Sequence, residues 1–176
     1  TTFKVFANTP ATLREMLQRS HALHDDGRDD YLIHGDERLS YDQFCNEVRA
    51  MSRALQIRGV KPGDRVAVAM RNYPELLILF LATASIGAVI VFVNAWWTAE
   101  ELDYALQDSG PSLIFADGPR MERLLPLKDR LGLTLVGVRD AVATAPEDYA
   151  AVRQTGLGAD WPEVDIDTDD DFAIMY

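Results

Sequence analysis

An asparagine and two tryptophans at the end of an apolar run are the strongest candidates for a binding site in this sequence. Asn94, Trp96 and Trp97 directly follow a predicted strand at 88–93. In open sheets of parallel strands, ligands bind beyond the carboxyl ends of the strands. Indole rings offer broad apolar surfaces, which also serve packing and interfaces. We therefore predict that Asn94, Trp96 and Trp97 form part of a substrate-cleft wall, with packing or an interface as the alternative for the tryptophans.

Histidine and cysteine side chains suggest other chemistry, but their surroundings do not support it. His21 and His24 lie three positions apart near Asp25 and Asp26, a spacing that could present two metal ligands on one helical face. No further residue obviously completes the ligand set, so we interpret them as a solvated helix end. Cys45 lies on the apolar face of a predicted helix, where burial raises a thiol pKa and lowers its reactivity. We expect Cys45 to be a core residue.

The acidic run towards the end of the sequence resembles a calcium loop only superficially. Alternate aspartates can surround a hard cation, but the turn glycine and closing glutamate of such a loop are missing. We interpret the run as a solvated connector; its aspartates are Asp165, Asp167, Asp169, Asp170 and Asp171. Neither GxGxxG nor GxxxxGK[ST] occurs, and no Ser–His–Asp or Cys–His set can be assembled by spacing. We predict no catalytic, cofactor-binding or metal-binding residue in the chain.

Charge and cysteine content narrow the classes of partner and compartment. The 176 residues include 17 Lys and Arg against 28 Asp and Glu, a net charge of −11 that repels phosphate backbones. We therefore expect no nucleic-acid partner. A 48% apolar content is sufficient for a core. The single cysteine cannot close an internal disulfide and no signal-type segment opens the chain at Thr1, so we expect a cytoplasmic location.

The segment from Pro74 to Asn94 decides how the rest of the chain is organised. Leu76 to Val93 is long and apolar enough to suggest a transmembrane helix. However, Pro74 suits the first turn of a helix and Gly87 suits the position just past a helix end. The residues after Gly87 are β-branched and aromatic, which favours a strand. We predict a buried helix followed by a buried strand, and no transmembrane segment.

Alternating helix and strand patterns continue on both sides of that segment. A short helix is expected to open at Thr9–Pro10 with Thr9 as its cap, followed by a hairpin of 31–34 and 37–39 around Gly35–Asp36. Capping boxes at Ser40 and Thr98 mark the starts of two more helices. The predicted elements thereafter are helices 40–59, 74–86, 99–108, 119–130 and 146–153 and strands 65–70, 88–93, 113–116 and 133–138. This order predicts an α/β fold with a mostly parallel sheet flanked by helices.

Several motifs in this framework resemble the N-terminal region of the adenylate-forming superfamily, and acyl-CoA synthetases (fatty-acid CoA ligases) are the most similar branch. The resemblance extends from about Tyr31 to Tyr176. It rests on the order and spacing of Ser40-Tyr41, Lys61-Pro-Gly-Asp-Arg-Val-Ala-Val68, Asn72-Tyr-Pro-Glu75, Gly87-Ala-Val-Ile-Val-Phe-Val-Asn94, Thr98-Ala-Glu-Glu-Leu102, Leu106-Gln-Asp-Ser109 and Leu113-Ile-Phe-Ala-Asp117.

The resemblance implies a two-step reaction for the parent enzyme. A carboxylic acid, such as a fatty acid, reacts with ATP in the presence of Mg²⁺ to give an acyl-adenylate and pyrophosphate. Coenzyme A then displaces AMP. The family's Ser/Thr/Gly-rich phosphate loop follows a strand that ends much like Asp171-Phe-Ala-Ile-Met-Tyr176, so it would lie downstream. The acidic residue for the ribose, the acyl pocket and the catalytic lysine would also lie downstream. We therefore expect no cofactor to be bound by this chain itself.

The same resemblance suggests a division of the chain and a role as a fragment. We expect an α/β subdomain at 1–154, an acidic connector at 155–171 and the start of the strand before the phosphate loop at 172–176. Alone, the chain is expected to be inactive and to expose an apolar surface that favours homo-oligomers. The alternatives are another adenylate-forming enzyme, such as an aryl-CoA ligase, a luciferase-like enzyme or a peptide-synthetase adenylation domain, and a non-catalytic acidic α/β interaction module.

Overall fold

A small hairpin precedes the main sheet. The computed structural model describes residues 8–24, 29–141 and 143–176. Thr1, at the start of the chain, and Asp25 and Asp26, beside the two histidines, lie outside the described residues. Strands β1 (Asp30–His34) and β2 (Glu37–Ser40) pair antiparallel as a separate two-stranded sheet. Gly35 has a φ of 59° in the turn between them, a conformation that glycine adopts without steric cost. The predicted hairpin is confirmed.

The main sheet has six strands, and every neighbouring pair in it is parallel. Its strands stand in the order β7-β6-β5-β3-β4-β8. They are β3 (Arg65–Ala69), β4 (Val89–Phe92), β5 (Leu113–Ala116), β6 (Thr134–Gly137), β7 (Glu147–Asp148) and β8 (Ala173–Met175). Parallel neighbours require crossover connections, which the intervening helices provide. The predicted α/β fold class is confirmed.

Helices cover both faces of this sheet. They are α1 (Leu13–Ala22), α2 (Tyr41–Ile57), α3 (Pro74–Ser85), α4 (Ala99–Ser109), α5 (Gly118–Leu124), α6 (Lys128–Leu131) and α7 (Tyr149–Gln154). One core cluster joins α2 and α3 to the sheet through residues such as Phe44, Leu79 and Phe115. A second cluster joins α4 and α5 to the opposite face through residues such as Leu106 and Met121. The central strands are therefore buried on both sides, as their continuous apolar sequences require.

Three predicted helices differ in detail from the structure. The first begins at Leu13 rather than Pro10, because the Thr12 hydroxyl, not Thr9, accepts the first-turn N–H of Glu15. The helix predicted at 119–130 is divided into α5, a 3₁₀ turn (Leu125–Leu127) and α6. Pro126 lies at this division, where it lacks the N–H that a continuous helix would need. The helical piece predicted at 146–153 begins as the short strand β7 and becomes helical only at Tyr149.

The segment 155–171 contains neither helix nor strand, but it packs against the rest of the chain. The Arg14 guanidinium donates to the carbonyl oxygens of Pro162 and Val164, at 2.7 and 2.8 Å, and to that of Ser85 at 3.0 Å. The Arg49 guanidinium lies 5.9 Å from the centre of the Trp161 ring. These contacts hold the segment to α1, α2 and α3 as it leads to β8.

Across the described parts of the chain, no helix combines the length and hydropathy needed to cross a membrane. Helix α3 is the most apolar of them, but it ends at Ser85, and Gly87 follows with a φ of 70°. Its apolar side chains face the sheet and neighbouring helices, since much of the helix is buried in the first core cluster. The apolar segment is thus a buried helix and strand, as the sequence predicts.

Candidate functional site

The loop after β4 brings the three predicted cleft residues together at the carboxyl edge of the sheet. The side-chain Oδ1 of Asn94 accepts the N–H of Trp96 at 3.0 Å. The carbonyl oxygen of Asn94 accepts the N–H of Trp97 at 3.2 Å. These two bonds form a tight turn, which we call the tryptophan loop (residues 94–97). The Thr98 hydroxyl then caps α4 by accepting the N–H of Glu101.

Trp96 is the most exposed feature of this loop, with 77% of its surface accessible. The guanidinium carbons of Arg71 and Arg120 lie 5.9 and 5.6 Å from the centre of the indole ring. At these distances each cation is attracted by the ring. An exposed indole can stack on a planar ligand, and the exposed Arg71 beside it can donate hydrogen bonds to an anion.

Trp97 lies in an aromatic group at the end of β8. Its ring meets that of Tyr176 edge to face, with 5.8 Å between the ring centres. Trp97, Tyr176 and Tyr104 line an open cavity of about 420 Å³ together with Glu100 and Glu101. Trp97 therefore packs against a neighbouring aromatic side chain, whereas Trp96 has no such partner among the residues that the structure describes.

The Tyr176 hydroxyl fixes one side of this cavity. It donates a hydrogen bond of 2.6 Å to the Oδ2 of Asp108 in α4. This bond to a carboxylate favours the protonated phenol and raises the pKa of Tyr176. The bond joins the end of β8 to helix α4.

A buried carboxylate lies beneath the tryptophan loop. Asp117 follows β5 directly and its side chain is 1% exposed. Its Oδ2 accepts the backbone N–H of Arg71 at 3.1 Å, and both its oxygens accept from Nη1 of Arg120 at 3.3 Å. Asp117 occupies the position before α5, but its side chain makes no capping bond to that helix. Its carboxylate is directed instead to the neighbouring strand end and to Arg120.

Two arginines of α5 hold the tryptophan loop by its backbone. The Nε of Arg120 donates to the carbonyl oxygen of Ala95 at 2.6 Å. The Nη1 of Arg123 donates to the carbonyl oxygen of Trp97 at 2.8 Å. We call Asp117, Arg120 and Arg123 the loop support. Arg120 is 3% exposed, so water cannot compensate its charge. Its ion-pair partner within the fold is Asp117.

The loop support is absent from the predictions made on sequence alone. Its signal is nevertheless visible: Asp117 ends an apolar strand, and Arg120 and Arg123 follow at intervals of three on a helix that Pro119 starts. Residues at such intervals share one face of a helix. The pattern does not reveal that this face meets the end of β4, because the partners are backbone carbonyls far away in the chain.

A second polar cluster lies beside the hairpin and follows β6. Arg139 donates from Nη1 and Nη2 to the two carboxylate oxygens of Glu37, at 2.7 and 2.9 Å, and from Nε to Glu75 at 3.0 Å. Its guanidinium carbon is 4.7 Å from the centre of the Tyr73 ring. We call Arg139, Glu37 and Glu75 the hairpin clamp. The hydrogen bonds from Arg139 lower the pKa of Glu37, and the bonds to Glu37 and Glu75 raise the pKa of Arg139.

The two histidines do not share a ligand site in the described structure. Nε2 of His21 is 2.5 Å from Asp42, whereas Nδ1 of His24 is 3.1 Å from Asp29. Each ring therefore has its own carboxylate partner. Among residues 8–24, 29–141 and 143–176, no group of three or more potential ligands is arranged to hold a metal ion.

Cys45 is a core residue, as predicted. It is buried within the first core cluster. Burial raises the pKa of its thiol to about 11, so the reactive thiolate is scarce at neutral pH. The structure gives no reason to assign it a chemical role.

Comparison with known proteins identifies the family. The family model described as AMP-binding enzyme matches residues 17–176, and the chain belongs to this family. It is 38% identical over 128 residues to an acetyl-coenzyme A synthetase of Alcanivorax borkumensis, a match covering 72% of this chain and 19% of that protein. It is 30% identical over 141 residues to a long-chain-fatty-acid–CoA ligase of Mycobacterium tuberculosis, covering 80% of this chain and 27% of that protein.

Solved structures show the same architecture. A fatty acyl CoA synthetase of Mycobacterium tuberculosis matches with a TM-score of 0.80 and 26% identity, covering 94% of this chain and 32% of the other. Coronafacic acid ligase of Pectobacterium brasiliense matches with a TM-score of 0.82 at 19% identity, covering 94% and 33%, and this likeness concerns the fold alone. The resemblance to the N-terminal region of the adenylate-forming superfamily is confirmed. The chain spans 19% and 27% of the lengths of the two curated relatives above.

Proposed function

We propose that the chain is the N-terminal part of an AMP-forming acid–CoA ligase that acts on a fatty acid. The observation that carries the proposal is the family match over residues 17–176. It is supported by three relatives whose names give different acids, since an acetyl-CoA synthetase, a feruloyl-CoA synthase and a long-chain-fatty-acid–CoA ligase are each named for joining an acid to coenzyme A. The acid differs among these relatives, whereas coenzyme A is common to their names.

The proposed reaction has two steps that balance in atoms and charge. A carboxylate oxygen of the fatty acid attacks the α-phosphorus of ATP, and the bond to pyrophosphate breaks. The thiol of coenzyme A then releases its proton to solvent, its sulfur attacks the acyl carbon, and the bond between that carbon and the phosphate oxygen of AMP breaks, so that AMP leaves. When bound with ATP, Mg²⁺ would supply neutralisation of the phosphate charge, and we assign no residue of this chain to it.

Within that enzyme, we assign Asn94, Trp96 and Trp97 to the wall of the substrate cleft. ATP and coenzyme A both carry an adenine ring beside phosphates. An exposed indole beside the Arg71 guanidinium suits that combination, because the ring stacks on adenine and the cation attracts phosphate. Asn94 contributes by shaping the turn, since its Oδ1 binds the N–H of Trp96.

Exchange of labelled pyrophosphate into ATP tests the activity. The natural enzyme that carries this region should catalyse exchange that depends on a fatty acid. When coenzyme A is added, the rate of thiol consumption should equal the rate of AMP release. A panel of acetate, ferulate and fatty acids of increasing length identifies the acid. Absence of acid-dependent exchange across the panel would overturn the proposal. The 176-residue chain alone should show no exchange, and robust exchange would place catalytic groups within it.

Substitution of Trp96 tests the cleft assignment. Stacking of a base on an aromatic side chain contributes roughly 1–3 kcal/mol, so Trp96→Ala should raise the KM for ATP or for coenzyme A roughly 5- to 150-fold. Arg71→Ala should raise the same KM. The control is Trp161→Phe. Trp161 lies in the 155–171 segment rather than in the tryptophan loop, and its ring lies against Arg49 of α2. Equal KM values for the Trp96 and Trp161 variants would remove Trp96 from the cleft.

The cellular setting and assembly belong to the same proposal. We place the enzyme in the cytoplasm, a location supported by the buried free thiol of Cys45. We divide this region into an α/β subdomain at 1–154, a connector at 155–171 and a strand segment at 172–176. Exposed apolar side chains at Met175, on the outer strand β8, and at Phe172, directly before it, support self-association of the chain as a homo-oligomer.

A further inference from the structure

We propose that Asp117, Arg120 and Arg123 are positioning residues that hold the Trp96 ring in place for a nucleotide-bearing substrate. The proposal rests on the proposed function and adds to it the residues that set the geometry of the cleft wall. None of the three needs to touch substrate in this role. They act on Trp96 through the backbone of the tryptophan loop.

The first argument is that one carboxylate joins three adjacent strand ends. Strands β5, β3 and β4 are neighbours in the sheet. Asp117 lies at the end of β5, it accepts the backbone N–H of Arg71 beyond β3, and through Arg120 it reaches the carbonyl oxygen of Ala95 beyond β4. A displacement of any one strand end therefore disturbs the bonds to the other two.

The second argument is burial. With side-chain exposures of 1% and 3%, Asp117 and Arg120 are separated from bulk water. A buried charge that loses its partner is strongly unfavourable, so alternative arrangements of this pair are disfavoured. The guanidinium is also a planar fork, and it uses Nε for Ala95 and Nη1 for Asp117. A lysine could not make these two bonds in the same directions.

The third argument is that the bonds bracket Trp96. Arg120 binds the carbonyl oxygen of the residue before it, and Arg123 binds the carbonyl oxygen of the residue after it. The guanidinium of Arg120 also lies against the indole, 5.6 Å from the ring centre. An exposed loop residue is thus held on both sides, whereas exposed loops are ordinarily the more mobile parts of a fold. Such support lets a binding surface form before the ligand arrives.

Fluorescence of the 176-residue chain tests the positioning directly. Trp97→Phe and Trp161→Phe leave Trp96 as the single tryptophan of the three in the sequence. In this background Arg123→Ala should lower the steady-state anisotropy of Trp96 emission, and Arg123→Lys should restore part of it. The matched control is Arg130→Ala, which removes an exposed arginine that binds Asp103 rather than the loop. Thermal melts of each variant check that it is folded.

Kinetics of the full-length enzyme test whether the positioning matters. Arg123→Ala should raise, by about twofold or more, the KM for whichever nucleotide substrate Trp96→Ala affects. Its kcat should be nearly unchanged. In the Trp96→Ala background Arg123→Ala should have no further effect, since the ring that it positions is absent.

Two results would overturn the inference. The first is equal anisotropy in the Arg123→Ala and Arg130→Ala variants. The second is a KM increase that adds fully to that of Trp96→Ala, which would mean that Arg123 binds the substrate itself. An enzyme without ligase activity would contradict the proposed function but leave the fluorescence result readable, so the two failures are distinguishable.

Discussion

The loop support and the hairpin clamp lie after neighbouring strands, β5 and β6, and both are built from arginine and carboxylate side chains. They differ in burial. In the loop support the side chains of Asp117 and Arg120 are 1% and 3% exposed. In the hairpin clamp, Arg139 and Glu37 are 26% and 52% exposed. The same pair of chemical groups is therefore placed in two very different dielectric surroundings.

This difference separates two uses of an ion pair. A buried pair contributes little net stability but is costly to break, because removal of one member leaves an uncompensated charge. A solvated pair is weak and is screened by salt. Accordingly, the loop support is suited to holding one exact geometry, that of the tryptophan loop. The hairpin clamp is suited to attaching a peripheral hairpin to the sheet.

The largest expected effect comes from Asp117→Asn. The amide can still accept the N–H of Arg71, but the buried Arg120 charge loses its partner. We expect the free energy of unfolding in urea to fall by about 3–5 kcal/mol. The double variant Asp117→Asn with Arg120→Gln removes both charges and should recover more than half of that loss. A loss below about 1 kcal/mol for the single variant would show that burial does not distinguish the two clusters.

A smaller effect is expected at the far end of the tryptophan loop. Thr98 caps α4 through an uncharged hydroxyl, so Thr98→Ala removes a capping bond without leaving a buried charge. The expected loss is about 1 kcal/mol in urea unfolding. Thr168→Ala, a change at an exposed threonine, is the control and should be nearly neutral. A loss for Thr98→Ala as large as that for Asp117→Asn would mean that any polar contact of the loop is equally important.

In the hairpin clamp, relief of backbone strain at Arg139 should offset part of the stability that is lost when this residue is replaced by glycine. Arg139 has a φ of 55°, which side chains other than glycine adopt at a cost of about 1 kcal/mol. Arg139→Ala and Arg139→Gly both lose the bonds to Glu37 and Glu75, but only glycine relieves the strain. We expect Arg139→Gly to be more stable than Arg139→Ala by up to about 1 kcal/mol. Calorimetric melts of the two variants measure this difference, and the reverse order would contradict it.

The smallest effect is the pH dependence of the clamp. Hydrogen bonds from Arg139 lower the pKa of Glu37 from its ordinary value of 4.5. The stability that this carboxylate provides is therefore fully present above pH 4.5 and is lost as the pH falls through the lowered pKa of the folded state. Glu37→Gln should remove this acid-dependent part from a pH series of melts. Unchanged acid dependence in the variant would show that the clamp is not coupled to titration of Glu37.

Local sequence signals account for most of the fold. The capping box predicted at Ser40 starts α2 where the structure has it: the Ser40 hydroxyl accepts the N–H of Gln43, and the Gln43 side chain accepts the N–H of Ser40. Pro74 and Gly87 bound the buried helix as predicted, with the strand β4 following. Such signals are predictable because each depends on residues within one or two turns of the chain. The division of the helix at Pro126 was missed, although proline is itself a local signal.

The candidate site could be predicted only in part. Sequence reasoning selects Asn94, Trp96 and Trp97 because they follow an apolar strand, and the structure places them at the carboxyl edge of the sheet. Their assignment to a substrate-cleft wall stays a prediction. Asp117 and Arg120 were missed because their partners, the N–H of Arg71 and the carbonyl of Ala95, are backbone groups distant in sequence.

By itself the sequence determined the alternation of helices and parallel strands, the buried helix and strand at 74–93, and the family. These depend on hydrophobic periodicity and on capping and turn residues, which act over short stretches of chain. Only the tertiary structure decided that β5, β3 and β4 end side by side, and therefore that a buried Asp117 can fix an exposed Trp96. Strand order brings together groups that no local interaction connects, and burial then gives their charges a single favourable arrangement.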